Sequence, residues 1–104
     1  MGNLSKPQIK YLRKVSHQHK PLFQLGKLGL TEAFIEQIDK ALEKRELIKF
    51  VILQNSDESL EEVAEEVAEK VRANIIQIIG STAILYRPSS KEKFQIISKE
   101  VNQL

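Results

Sequence analysis

The sequence predicts a single α/β domain of the two-layer α+β type, with element order α-β-α-β-α-β-β and a four-stranded mixed sheet packed by helices. Three observations carry this. Segments with apolar residues at three- and four-residue steps alternate with short β-branched runs, the pattern of strands joined by helical crossovers. Ser and Thr residues that can cap helix N-termini stand at the start of each helical segment. The length of 104 residues, with 41% hydrophobic and 29% charged residues, suits one core and is too short for two comfortable ones.

The elements follow in order. Ser5-x-x-Gln8 is a capping box, in which hydroxyl and amide each satisfy an orphan backbone N–H, and it opens a helix from about Lys6 to Ser16 or His17 with Ile9, Leu12 and Val15 as a narrow apolar stripe. Pro21-Leu22-Phe23-Gln24-Leu25 reads as a strand stopping at Gly26, and Gly26-Lys27-Leu28-Gly29 as a loop. Thr31 is the N-cap of a second helix ending near Lys44-Arg45, with Phe34, Ile35, Ile38, Ala41 and Leu42 on its inner face. Leu47 to Leu53 is almost continuously apolar, interrupted by Lys49, as in a central strand covered on both faces. Ser59-x-x-Glu62 reads as a second capping box before a helix carrying Leu60, Val63, Ala64, Val67, Ala68 and Val71. Asn74 to Ile79 and Thr82 to Arg87 form a hairpin around Gly80-Ser81, closed by Pro88. Residues 1–88 are thus expected to form the domain. The extension 89–104, with Phe94, Ile97, Val101 and Leu104 at helical steps, is expected to form an amphipathic helix where a surface receives it.

Composition excludes several functions. With no cysteine, a disulfide framework, a thiol nucleophile and a thiolate metal site are ruled out. The N-terminus leads into a basic amphipathic segment rather than an apolar signal core, and no run approaches the ~20 apolar residues of a membrane span. A cytoplasmic protein with no membrane contact is expected.

The net charge is only +2, but it is segregated: residues 1–31 carry six bases and no acid, residues 32–70 twelve acids against five bases, and residues 71–104 five bases against two acids. Such asymmetry suits a protein with one surface for a polyanion. On a helical wheel Lys6, Lys10, Arg13, Lys14 and His17 of the first helix fall within roughly 100° of one another. A merely solvated basic helix usually carries acids at i,i+4 spacing; this one has none, and the run continues through His19, Lys20 and Lys27. A phosphate backbone would supply the missing counter-charge. In Gly26-Lys27-Leu28-Gly29, glycines admit a close backbone approach to phosphate, Lys27 adds charge, and the following helix start points its N–H groups outward; KH domains clamp a nucleic-acid backbone with a GxxG loop of this kind.

Catalysis finds no foothold. His17 and His19 have no carboxylate or cysteine near them in sequence, so they do not read as metal ligands. The acids Glu58, Glu61, Glu62, Glu65, Glu66 and Glu69 lie opposite an apolar stripe and read as a wet helix face. There is no P-loop, dinucleotide fingerprint or Ser/His/Asp spacing. The chain does not read as an enzyme, and no cofactor is expected.

Leu4-Ser5 opening a basic helix, Lys20-Pro21, Leu25-Gly26-x-x-Gly29-Leu30-Thr31-Glu32, Glu46-Leu47-Ile48-Lys49, Gln77-x-Ile79-Gly80 and Leu85-Tyr86-Arg87-Pro88 together resemble the CRM (chloroplast RNA splicing and ribosome maturation) domain in its free-standing YhbY-type form. The resemblance runs from about Leu4 to Pro88. It implies a fold similar to the C-terminal domain of translation initiation factor three, association with large-subunit ribosomal precursors, and RNA contact through Gly26, Lys27, Leu28 and Gly29, with Lys10, Arg13, Lys14, Lys20, Lys49 and Arg87 as neighbours. The expected site is therefore Lys6, Lys10, Arg13, Lys14, His17, Lys20, Gly26, Lys27, Leu28, Gly29, Lys49 and Arg87. The expected partner is ribosomal RNA or a pre-ribosomal particle, with a ribosomal protein contact as a further possibility, and the chain is expected to act as a monomer. With two Tyr, four Phe and no Trp, base stacking should be minor beside phosphate contact. The competing reading is a protein-interaction module that docks on another assembly factor or a ribosomal protein through its acidic helix or its C-terminal apolar stripe.

Overall fold

Two crossover connections decide which face of the sheet each helix covers. In the computed structural model, which describes residues 3–26, 30–53 and 59–104, the elements are α1 (Lys6–Ser16), β1 (Phe23–Leu25), α2 (Glu32–Arg45), β2 (Leu47–Ile52), α3 (Leu60–Val71), β3 (Asn74–Ile79), β4 (Thr82–Tyr86), a 3-10 turn (Glu92–Phe94) and α4 (Ile97–Val101). The sheet order is β1-β2-β4-β3, with β1 parallel to β2 and both other pairings antiparallel. The α2 connection from β1 to β2 and the α3 connection from β2 to β3 advance the same way across the sheet. Right-handedness therefore puts both helices on one face. The opposite face is left for α1 and the C-terminal segment.

The core divides accordingly. Ile38 and Leu42 of α2, Val63, Val67 and Val71 of α3, and Ile48, Phe50, Ile52, Ala83 and Leu85 of the sheet form the larger cluster. Phe34 stacks edge-to-face between Phe23 and Phe50, with ring centroids 6.3 and 5.6 Å away. The smaller cluster joins Leu12 of α1 and Val101 of α4 to Leu47, Ile76, Ile84 and Tyr86. β2 is central and buried toward both faces, as its apolar run predicts.

Local chemistry sets the boundaries. At α1 the capping box is complete: Ser5 Oγ accepts from the Gln8 N–H, and Gln8 Oε1 accepts from the Ser5 N–H at 2.8 Å. Thr31 caps α2 by accepting from the Phe34 N–H at 3.1 Å. The paired part of the first strand is Phe23–Leu25 rather than all of residues 21–25, because Pro21 has no N–H to contribute; Leu22 still donates to the Lys49 carbonyl at 3.0 Å. Gly80 turns the β3–β4 hairpin at φ 56°, a conformation suited to glycine.

Two expectations are corrected. Ser59 stands at the N-cap of α3 and its carbonyl accepts from Val63, but its hydroxyl makes no cap hydrogen bond, so the second capping box is not formed. Glu61 and Glu62 instead place negative charge at the positive end of the helix dipole. The single helix expected over 89–104 is broken into the 3-10 turn and the short α4. Its backbone is captured elsewhere: the buried Glu46 carboxylate accepts from the N–H groups of Ser89, Ile96, Ile97 and Ser98 at 2.8 to 3.1 Å, which fixes where α4 begins.

Candidate nucleic-acid interface

The basic face of α1 is determined by what its opposite side must do. Leu12 is fully buried against the sheet, with Ile9 and Val15 packed at the margin, and the 3.6-residue period then turns Lys6, Lys10, Arg13 and Lys14 outward. All four are exposed, as are His17 and Lys20. Among the described residues the ion pairs are Lys70–Glu66 and those of Arg87 with Asp39 and Glu43, so no carboxylate neutralises this face.

The chain leaving α1 is folded tightly against the helix end, with Gln18 and His19 donating to Val15 and Ser16 carbonyls at 3.0 Å. The Leu22–Lys49 backbone bond then moors it to β2. Along β2, Leu47 faces α1 whereas Ile48, Phe50 and Ile52 face α2 and α3; alternation puts Lys49 and Val51 on the α1 side. Gln24 of β1 is exposed there and Leu22 is 43% exposed, and no described helix roofs this part of the sheet. The α1 basic helix and Lys49 thus lie on the same side of the sheet, with the exposed His17 and Lys20 in the connection between them in sequence. Gly26 lies at the far end of β1; Lys27, Leu28 and Gly29 fall outside the described residues.

Two residues outside the expected site belong to the same neighbourhood. His19 is half-buried, and its imidazole is held below its ordinary pKa by burial first, then by the nearby positive charges of Lys49 and Arg45. His19, Lys20 and Arg45 also line a shallow depression with Gln18 and Leu22. Arg45 was not legible as a member, because only the pairing of β1 with β2 brings the end of α2 to the end of α1.

Arg87 is the expected site residue that the structure sets apart. Its side chain is 15% exposed, and its guanidinium donates to the Val71 carbonyl at 2.8 Å, to the Asp39 carbonyl at 3.0 Å and to the carboxylates of Asp39 and Glu43. It joins α2 to the end of α3. Glu43 also accepts from Ser89 and Ser90, and those serine hydroxyls, Ser90 foremost, with the Ser90 N–H and Arg87 lower its pKa to about 2. The exposed acids of α3, Glu61, Glu62, Glu65, Glu66 and Glu69, lie on this same layer. Acidic and basic surfaces are thus on opposite sides of the sheet.

The described residues contain no group of three or more His, Asp or Glu arranged to hold a metal ion, and no helix long and apolar enough to cross a membrane. The arrangement suits binding a polyanion along an extended, open surface.

Known proteins share this architecture. The CRS1 / YhbY (CRM) domain profile matches residues 4–87. Over 90 residues the chain is 42% identical to Probable RNA-binding protein YqeI of Bacillus subtilis, covering 86% of this chain and 94% of that protein. It is 33% identical over 99 residues to an RNA-binding protein of Haemophilus influenzae, covering 95% and 100% respectively. The solution structure of SAV1595 from Staphylococcus aureus, described as a hypothetical protein proposed to bind RNA, matches with a TM-score of 0.72 and 43% identity over 86% of this chain and 94% of that one. With the profile spanning α1 through the end of β4 on the observed α-β-α-β-α-β-β order, the chain belongs to the CRS1/YhbY (CRM) domain family.

Proposed function

We propose that this protein is a non-catalytic RNA-binding factor that contacts ribosomal RNA in the cytoplasm during assembly of the large ribosomal subunit. The observation that carries the reading is the acid-free basic face of α1, on the same side of the sheet as Lys49 and the opposite side from the acidic helix α3. Family membership and the RNA-binding names of the relatives support it. The contact surface comprises Lys6, Lys10, Arg13, Lys14, His17, Lys20, Lys49 and the Gly26-Lys27-Leu28-Gly29 loop. Arg87 is left out, since its donors are engaged by Asp39, Glu43 and Val71.

Binding would be dominated by phosphate contacts, so the salt dependence tests it. Neutralising about five phosphates gives a slope of log affinity against log salt of roughly −3.5 to −4.5. The Lys10→Glu, Arg13→Glu, Lys14→Glu triple variant should lose most of its affinity for structured ribosomal RNA while melting as the wild type does. A flat salt response, or a variant that binds equally well, overturns the reading.

One observation favours a second reading. Leu4, Ile9 and Ile75 floor a cleft between the N-terminal part of α1 and α3, edged by Glu65 and Glu69, which would suit a basic segment of a ribosomal protein. A complex with such a protein that survives nuclease treatment would favour this docking role.

A further inference from the structure

Where the connection after α1 crosses the start of β2 and the end of α2, His19, Lys20 and Arg45 line one depression, and Lys49 lies close to His19. His19 and Lys20 come from the connection, Lys49 from β2 and Arg45 from the last turn of α2. They are far apart in sequence, and the Leu22 N–H to Lys49 carbonyl bond holds the assembly together. We propose that this depression is a phosphate subsite, in which Arg45, Lys49 and Lys20 hold one backbone phosphate of a bound RNA and His19 joins them as an imidazolium. The inference deepens the RNA-binding reading and rests on it.

Three features distinguish the cluster from a lysine-rich solvated surface. First, the two acids nearest Arg45 in sequence are committed elsewhere. Glu43, two positions before Arg45, is turned to Ser89, Ser90 and Arg87, and the Glu46 carboxylate is buried on the N–H groups of Ser89, Ile96, Ile97 and Ser98. Among the described residues Lys20, Arg45 and Lys49 take part in no ion pair. Second, His19, Lys20 and Arg45 line a shallow depression rather than a convex helix face, with the exposed Leu22 beside them. Third, His19 is half-buried beside like charges, so its neutral form is favoured only while no anion is present. The groups facing it are Lys49 from β2, Arg45 from α2, and Lys20 and the exposed His17 from its own connection; the β4 partner of Leu47 is the neutral Tyr86. A phosphodiester carries its negative charge throughout the imidazole range. Its arrival would reverse the balance on His19 and raise the pKa, so RNA binding and protonation should strengthen each other.

The surface geometry fits a backbone track. Lys20 lies six residues before Gly26, and at about 3.3 Å per extended residue the two ends of β1 can engage phosphates several nucleotides apart.

The test is proton NMR of the two imidazoles in the full-length protein, assigned with a His17→Gln variant, titrated with and without a saturating ribosomal RNA hairpin. The free His19 midpoint should lie below that of an unperturbed histidine, ~6.5, and should rise by about one pH unit on RNA binding. Affinity should correspondingly grow several-fold between neutral and mildly acidic pH in the wild type and stay level in His19→Gln. Arg45→Gln should bind about fivefold more weakly, with a salt slope smaller by about 0.8, while retaining the wild-type melting temperature. If RNA binds, and the α1 triple variant still abolishes binding, but the His19 midpoint does not move and Arg45→Gln binds normally, the subsite is wrong and the RNA-binding reading stands. If no RNA binds at any salt concentration, both fall.

Discussion

Glu46 is the residue on which the fold and its C-terminal extension meet. It ends α2 in the left-handed region at φ 68°, where a non-glycine residue costs on the order of 1 kcal/mol, and it is fully buried. Its carboxylate offsets that cost by accepting four backbone N–H groups, the kind of charge-assisted bonding that lowers the penalty of burying an anion. Glu46→Ala orphans all four donors and should lower unfolding free energy by about 3 kcal/mol or more, and Glu46→Gln, which keeps one acceptor oxygen, by about 2 kcal/mol. Urea unfolding followed by circular dichroism measures both; a loss below about 0.5 kcal/mol for Ala contradicts the role. Glu43 gives the same region an acid sensitivity. Its folded-state pKa of about 2 lies below its ordinary value of 4.5, so its stabilising contribution is complete above pH 4.5 and disappears as pH falls toward 2. A Ser90→Ala variant removes the largest cause of that shift and should flatten the wild-type loss of stability over this interval.

At the scale of elements, α1 has two distinct sides whose contributions can be separated. Its apolar side and capping box serve stability: Ser5→Ala should cost about 1 kcal/mol, because the Gln8 N–H loses its acceptor. Its basic side contributes nothing to packing and is free for a ligand. The end of β1 allows a similar separation. A Cβ built at Gly26 would meet only Leu53 Cδ1 at 3.9 Å, an ordinary contact, and φ at this position is not in the left-handed region. Gly26→Ala should therefore leave the melting temperature unchanged or slightly raised, since alanine restricts the unfolded chain. If the loop clamps a phosphate backbone closely, the same variant should bind RNA at least several-fold more weakly. Equal affinity would show that close approach at Gly26 is not needed.

For the whole molecule, the two-layer arrangement separates charge as well as cores. Because both crossovers advance the same way across the sheet, the helices bearing most of the acids share one face, and α1 occupies the other with no acid of its own. On the proposed reading, an approaching RNA would meet the basic side and be repelled from the acidic side, which would orient the encounter. The C-terminal segment completes the α1 layer: Val101 is buried against Leu12, Leu47 and Tyr86, and Gln8 of α1 donates to the Val101 carbonyl at 3.0 Å. Removing residues 89–104 uncovers this cluster and strands the Glu46 carboxylate. The combined loss should be about 3–6 kcal/mol, lowering the melting temperature by at least about 12 °C. A truncated protein that melts like the full chain would show residues 89–104 to be dispensable for the fold.

The order of elements, the apolar stripe of each helix, the centrality of the Leu47–Ile52 strand and the basic face of α1 were all readable along the chain. These depend on local periodicity and capping, which are written in neighbouring residues. The tertiary structure decided what depends on residues distant along the chain. It turned Arg87 from an expected RNA contact into a brace between α2 and α3, because a guanidinium brought beside Asp39 and Glu43 is neutralised there. It assembled His19, Lys20 and Arg45 around one depression with Lys49 close to His19, a grouping that no spacing in the sequence encodes. It also divided the C-terminal segment into two short turns, because a buried carboxylate from a different element accepts the backbone N–H groups that a longer helix would have used.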